Sequence, residues 1–511
     1  MTMPELRLIT WPQIRRPERA AGVLALALGL LHLALFPGSG MDLSAQLARA
    51  SFAAQAPFTP VDLSWYSGIH PYGYSLVAPW LMSGFGVATC GLLAATISAV
   101  LFARLVRYTD RPWMAGLSGA FFWAANVASG RVTFALGAVT ALAALVALPK
   151  LRLAAVLAVL TGLLSPVAAA FLGFVAAVLV LHRKPGGWTL GITTTVPVVV
   201  LAVAFPGGGI QPLSPGAAIP GILVGLALGI FTAHPLVRTA AFLYAAMVVV
   251  LAVASDPFGS NILRLGLLLA ISLLLATTAG RTRVVMVVLS CGFLVWQLFP
   301  LIGDLRSTTQ PLTPLTQALE RADAQRVEVL AGRDHHEAYE VARSVPIARG
   351  WSRQIDVRDN PLFYRNEPLG AGEYVAWLRD NAVDYVAAPR TGKLDHGSVL
   401  EGALLEGPVP GLKPQWQDDN WIVYRVLEAR PIVAAPAHMV SSNRIEMVLE
   451  SDRAAPVAVD VRWSRWLSLA GPGCLQRSGD RVLIRFQSAG TVTMTSSLNP
   501  AGRCETVKPA A

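Results

Sequence analysis

The sequence predicts a polytopic α-helical membrane protein followed by a water-facing half of α/β and β-sandwich character. Three observations carry that expectation. The 511 residues are 54% hydrophobic and 14% charged, with a mean hydropathy of +0.52; at those values a soluble chain lacks the charge to cover its surface. Charge is sparse from Ala21 to Gly303 and ordinary from Arg306 onward. Arginine and lysine fall at every second gap between the apolar runs, the pattern that orients membrane spans.

The elements follow in chain order. Residues 1–20 read as a cytoplasmic N-terminus and 21–305 as the transmembrane domain, with a long outer loop at 37–73. No small-residue cleavage site follows Leu35, so the first apolar run reads as an uncleaved span. About 20 apolar residues cross a bilayer as a helix. On that measure about eleven spans are expected: Ala21–Phe36, Gly86–Leu105, Trp113–Ser129, Val132–Leu148, Leu153–Val167, Ala168–Leu181, Trp188–Phe205, Ile219–Phe231, Val237–Ala254, Ile262–Ala279 and Val284–Leu301. With the N-terminus inside, fourteen basic residues fall in inner gaps, from Arg7 through Arg104, Lys150, Arg183 and Arg238 to Arg283. The outer gaps hold Arg49 and Arg131, with Arg264 just inside a span. That bias sets the orientation, and an odd span count puts the C-terminal half outside. Tyr74–Phe85 is too short to span and reads as an interfacial or re-entrant helix. The pair Leu153–Leu181, broken at Ser165-Pro166, reads as a short hairpin.

A net charge of +10 invites a nucleic-acid reading. The basic residues in short inter-span gaps account for much of it, and no helix-turn-helix, zinc-finger or aromatic RNA-binding pattern occurs, so no nucleic-acid partner is expected.

The outer face supplies the candidate site. Loop 37–73 is longer than a simple connection and long loops carry function or structure of their own. Asp42 opens an amphipathic stretch, Leu43, Leu47 and Ala50, and reads either as a helix cap or as a general base that takes a proton from a sugar hydroxyl. Asp62, in Pro-Val-Asp-Leu-Ser, is a second acid in a turn-like context. His70 and Tyr72, in His-Pro-Tyr-Gly-Tyr, read as phosphate and substrate contacts or as a capped turn in an aromatic belt. Arg264, two residues inside a span, reads as a clamp on a lipid phosphate or as a snorkelling side chain, and Arg131 as a weaker clamp. The Gly- and Pro-rich loop Pro206–Ala218 reads as cavity lining or a gate.

The water-facing half divides into an α/β domain at 306–430 and a β-sandwich-like domain at 431–511. Strands are predicted at Arg326–Leu330, Asp384–Ala388 and Trp421–Val426, with helices at His336–Arg343 and Glu373–Asn381; short alternating runs from Arg444 to Thr495 predict the sandwich. Asp334-His335-His336-Glu337 lacks a second ligand pair and is not read as a metal site. Trp351, Tyr364, Trp377 and Trp416 read as sugar-stacking or core aromatics. Cys474 and Cys504 are disulfide candidates if that half lies outside, and free thiols otherwise; Cys90 and Cys291 sit in apolar runs.

With Asp42 soon after the first span, the His70-Pro71-Tyr72-Gly73-Tyr74 turn before a short apolar helix, and the Ser165-Pro166 hairpin, the chain resembles the GT-C class of membrane glycosyltransferases. It also resembles actinobacterial conserved membrane proteins of uncertain function, through Arg349-Gly350-Trp351-Ser352-Arg353-Gln354 and Asn360-Pro361-Leu362-Phe363-Tyr364. The first resemblance implies an inverting transfer of sugar from a polyprenyl-phosphate donor to an envelope glycan, lipid or protein acceptor on the outer face of the plasma membrane. Asp42 would be the base; His70, Tyr72, Arg264, Arg131 and Asp62 would contact substrate. No Asp-x-Asp pair follows the first span, so no cofactor is assigned and the use of a divalent cation is left open. A transporter or flippase, and a non-catalytic protein of envelope biogenesis, are the alternatives.

Overall fold

The computed structural model describes residues 16–278, 283–305 and 310–504. The expected N-terminal segment lies largely outside the described residues, as do Arg7, Arg281 and the 306 boundary. The chain forms two units: Met1–Gln46 with Ser75–Val203 and Ile210–Arg306, and Leu47–Tyr74 with Ala204–Gly209 and Ser307–Ala511.

The first unit is helical. Its helices are α1 (Arg16–Leu35), the start of α2 (Leu43–Gln55), α3 (Ala78–Phe85), α4 (Val87–Leu105), α5 (Pro112–Ala128), α6 (Val132–Val146), α7 (Leu151–Leu164), α8 (Pro166–Leu181), α9 (Gly187–Ala204), α10 (Pro215–Phe231), α11 (Pro235–Val253), α12 (Leu263–Thr277) and α13 (Arg283–Leu305). Proline at the first helical position begins α5, α8, α10 and α11, where its missing N–H costs nothing. Ser165 and Ser214 cap α8 and α10 by accepting from Ala168 N and Ala217 N.

Small residues let these helices close on one another, as they must where no water drives apolar surfaces together. Ala21, Ala25, Ala99, Ala103, Ala115 and Ala120 are buried in one cluster where α1, α4 and α5 meet. A Cβ on Gly119 would lie 2.4 Å from the Phe102 ring, and one on Gly22 would lie 2.8 Å from Val100. The outward faces are apolar too. Val253 is 85% exposed and Phe299 78%. A soluble helix keeps polar residues there, so these surfaces belong in lipid.

Each of the eleven expected spans is a helix, yet the expected count of crossings is not met. Among the described residues five helical stretches are long and apolar enough to cross a membrane: Pro17–Leu35, Val87–Leu105, Gly187–Ala204, Pro235–Val253 and Gly259–Thr277. Helices α5, α6, α7, α8 and α10 stop short at 14 to 17 residues, and within the 23-residue α13 the apolar stretch is Val287–Gly303. The 14 residues of α7 rise only about 21 Å at 1.5 Å per residue, against a hydrocarbon core of about 30 Å. Ser165-Pro166 separates α7 from α8 and Ser129-Gly130 separates α5 from α6, so the helices between these breaks are short.

The second unit holds the sheets. Strands β1 (Val327–Val329), β2 (Tyr385–Pro389), β3 (Leu412–Gln417) and β4 (Trp421–Val426) form a sheet in the order β1-β2-β4-β3, parallel between β1 and β2 and antiparallel elsewhere. Helices α14 (Thr313–Arg321), α15 (Glu337–Glu340), α16 (Arg353–Asp359), α17 (Ala371–Asp380) and α18 (Val399–Leu405) accompany it. Strands β5 (Ala437–Ser442), β6 (Met447–Ser451), β7 (Pro456–Arg462), β8 (Leu467–Ala470), β9 (Gly473–Ser478), β10 (Arg481–Phe486) and β11 (Gly490–Ser496) make two sheets, β5-β6-β11-β8 and β7-β10-β9. Leu449, Val457, Ile484, Val492 and Met494, from both sheets, share one buried cluster. Cys474 on β9 and Cys504 are joined as a disulfide, with Cα atoms 4.8 Å apart.

Part of the expected outer loop belongs to this unit. Leu63 N donates to Arg444 O, Asp62 pairs with Ile69 in a β-bridge, and Trp65 is fully buried with its Nε1 donating to Ala338 O. Gly350 lies so close that a Cβ there would sit 2.5 Å from the Trp65 ring.

Candidate functional site

In the first unit the chain brings Asp42, Arg131 and Arg264 together. Arg131 Nε lies 3.3 Å and Arg264 Nη2 3.2 Å from the same oxygen, Asp42 Oδ2. All three side chains are partly exposed, at 24%, 21% and 18% respectively.

Local structure fixes each of them. Helix α5 ends at Ala128, and Gly130 turns the chain in the left-handed region (φ 79°) so that Arg131 precedes α6. Asp42 N donates to Ser129 O at 3.3 Å. Glycine is required on both sides of this crossing. A Cβ on Gly130 would lie 2.3 Å from Leu43 N, and one on Gly40 2.8 Å from Ala128 O. Gln46, one turn along α2, donates from Nε2 to Asp42 O and accepts from Thr133 Oγ1. Arg264 is the second residue of α12. Asp256 shapes the entry to that helix by accepting from Phe258 N at 2.7 Å and Gly259 N at 2.9 Å.

Arg131 and Arg264 line a narrow cleft of about 30 Å³ between α5, α12 and α13. Phe122, Leu267, Leu268, Pro300 and Leu301 make its apolar wall, and Ser129, Asn126 and Gln297 add polar groups. Guanidiniums at the mouth of an apolar-walled cleft suit an anionic headgroup carried on a lipid chain.

The other expected contacts have partners within the second unit. Asp62 is buried and ion-paired, its Oδ2 2.7 Å from Arg444 Nη2, while Oδ1 accepts from Ser64 N at 2.9 Å and Ser64 Oγ at 2.6 Å. His70 Nδ1 meets Pro206 O and Nε2 meets Ser464 Oγ, both at 2.8 Å. Burial holds its pKa below the ordinary value, opposed by the Pro206 carbonyl. Tyr72 is buried, donates to Pro57 O at 2.7 Å and packs edge-on against Phe205; burial pushes its hydroxyl up to about 12. Contacts within the second unit therefore engage the polar atoms of Asp62, His70 and Tyr72, and these three are not brought to the Asp42 assembly.

A second ionic assembly went unforeseen. Arg349 is buried; its Nη2 reaches Glu328 Oε1 at 2.7 Å and also Glu401 Oε2, and Nη1 lies 3.6 Å from Asp356 Oδ2. His335 sits between Glu337 and Asp395 and stacks on Trp351 at 3.6 Å. Arg353 pairs with Asp395 at 2.6 Å and lies over the Trp351 ring. Burial opposes the charge on His335, but the hydrogen bonds to Asp395 and Glu337 override it and raise its pKa to about 9. Burial raises Glu328 to about 7 and Glu401 further, against the pull of Arg349. The stacked ring and the guanidinium leave Trp351 no platform for sugar. Trp377 donates to Asn360 and stacks on Tyr374, and Tyr364 donates to Asp356, so these aromatics are structural. This cluster is an ionic core.

No cluster of three or more His, Cys, Asp or Glu side chains suited to a metal occurs among the described residues. Asp42 does not fit a divalent cation, because two guanidiniums already face its Oδ2 and would repel one. No protein-family model matches the chain, and no curated protein matches it.

Proposed function

We propose that the chain is a membrane glycosyltransferase of the GT-C type. It would move a sugar from a polyprenyl-phosphate donor to an envelope glycan, lipid or protein acceptor on the outer face. The observation that carries this reading is the Arg131–Asp42–Arg264 assembly at the mouth of an apolar-walled cleft. The donor phosphate takes the two guanidiniums, which frees the Asp42 carboxylate. Asp42 then accepts the proton of the acceptor hydroxyl. That oxygen attacks the anomeric carbon from the face opposite the phosphate, the carbon–oxygen bond to phosphate breaks with inversion, and the electron pair leaves on the phosphate, held by Arg131 and Arg264.

Two facts support an outer location for the second unit. The basic residues of the sequence, alternating across the eleven apolar runs, favour an N-terminus inside and a second unit outside. The Cys474–Cys504 disulfide fits an oxidising compartment. The engagement of Asp42 by two arginines also suits a second reading, a non-catalytic envelope protein in which the triad only staples helices.

The test is the lipid and glycan profile of envelope from cells lacking the protein. Loss of one sugar from the envelope with accumulation of its lipid-linked donor, reversed by the wild-type chain and not by Asp42→Asn, is the expected result. Full reversal by Asp42→Asn favours the staple.

A further inference from the structure

The cleft beside Asp42 contains two buried carboxamides that the mechanism above leaves unused. Asn126 on α5 is 8% exposed and Gln297 on α13 is 5% exposed. Both line the cleft with Arg131 and Arg264. Gln297 Nε2 donates to Leu267 O at 2.6 Å, which fixes which end of the amide is which. Its Oε1 is then buried with no hydrogen-bond partner, and so is Asn126 Nδ2. One orphan is an acceptor and the other a donor.

Such orphans are costly among apolar helices, where polar side chains mark ligand paths more often than packing. Their polarity limits the ligand. A phosphate ionised at both oxygens only accepts; it could satisfy Asn126 Nδ2 and the two guanidiniums but never Gln297 Oε1. Hydroxyls both donate and accept, so the hydroxyls of a sugar offer partners to Gln297 Oε1 and to Asn126 Nδ2 alike. The apolar wall of Phe122, Leu267 and Leu268 offers surface to the C–H face of a sugar ring.

The geometry points to Asn126 and Gln297 as the residues that read sugar hydroxyls, so that the cleft prefers a lipid phosphate bearing a sugar over the bare lipid phosphate. This rests on the donor-binding reading above. It makes the two amides specificity residues, distinct from the phosphate-holding arginines.

The test is equilibrium binding of two probes to the full chain in lipid nanodiscs: a polyprenyl phosphate and the same lipid carrying one hexose. Wild type is expected to bind the glycosylated probe about tenfold or more tighter, the discrimination that a buried hydrogen-bonding pair gives. Gln297→Met and Asn126→Leu are each expected to remove most of that preference. Variants that bind the bare lipid are folded, which separates lost reading from lost structure. If wild type binds both probes and Gln297→Met keeps the wild-type ratio, the amide assignment fails while the phosphate reading stands. If wild type binds neither probe, the donor reading itself fails and takes this one with it.

Discussion

Arginine meets carboxylate twice in this protein, and the two places are built to opposite ends. At Asp42 two guanidiniums converge on one carboxylate oxygen, and every member is partly exposed. At Arg349 the arginine is enclosed by Glu328, Glu401 and Asp356, and the glutamates are 0% exposed. An exposed triad can exchange its partners for a ligand at small cost. A buried network cannot, since any removed member strands a charge in a dry interior. On the function proposed above, the first would carry ligand chemistry and the second would maintain the fold.

Substitutions at the two places therefore separate activity from stability. The largest effect is expected at Asp42. Asp42→Asn removes the proton acceptor and lowers transfer by about 10²–10⁴-fold, the usual share of general-base catalysis, while stability changes by about 1 kcal/mol or less, as for other solvent-screened pairs. Arg349→Met is expected to do the reverse, destabilising by about 3–5 kcal/mol because Glu328 and Glu401 lose their cation, read as a fall in the unfolding midpoint of the full chain. An Arg349→Met protein as stable as wild type would erase the distinction.

Cys474→Ser comes next. The bridge closes a separation of 30 residues, and its loss is expected to cost about 3 kcal/mol on loop-closure grounds. Reduction followed by a membrane-impermeant thiol reagent on intact cells should label the two released cysteines; labelling only after lysis would place the second unit inside.

The smallest effect is the pH dependence of the ionic core. His335 has its folded pKa raised from 6.5 to about 9. Its contribution is therefore complete below about pH 6.5 and lost as pH rises through 9. Glu328, raised to about 7, acts in the same direction from about pH 4.5 upward, because its folded state binds the proton more tightly. Asp395, held far below its usual range by His335 and Arg353 against burial, opposes them only in strong acid. The unfolding midpoint should fall between pH 7 and 9.5, by on the order of 2 kcal/mol, and His335→Gln should flatten that fall.

The sequence was informative where local pattern decides structure. The apolar runs marked the helices, and strand β4 (Trp421–Val426) was read to the residue because it is a short run rich in β-branched and aromatic side chains. Strands β3 and β5 escaped because their side chains are mostly exposed and polar, as in Lys413, Gln415, Ser441 and Ser442. The recruitment of Leu47–Tyr74 to the second unit was illegible, since Trp65 and Asp62 find their partners, Ala338 and Arg444, hundreds of residues later. Asp42, Arg131 and Arg264 were each named, but nothing local joins positions so far apart in the chain. Two signals were present and unused. Asn126 and Gln297 are lone amides inside apolar runs, and Glu328 is a charge in the middle of the strand read at Arg326–Leu330.

The central claim is that the Asp42 triad exists for chemistry. It is tested most directly by the transfer rate of purified Asp42→Asn protein, supplied with polyprenyl-phosphate sugar and envelope acceptor, beside wild type of equal unfolding midpoint. The account predicts a rate lower by at least about a hundredfold with the midpoint unchanged. Equal rates, or a midpoint that collapses as Arg349→Met should make it do, would contradict it.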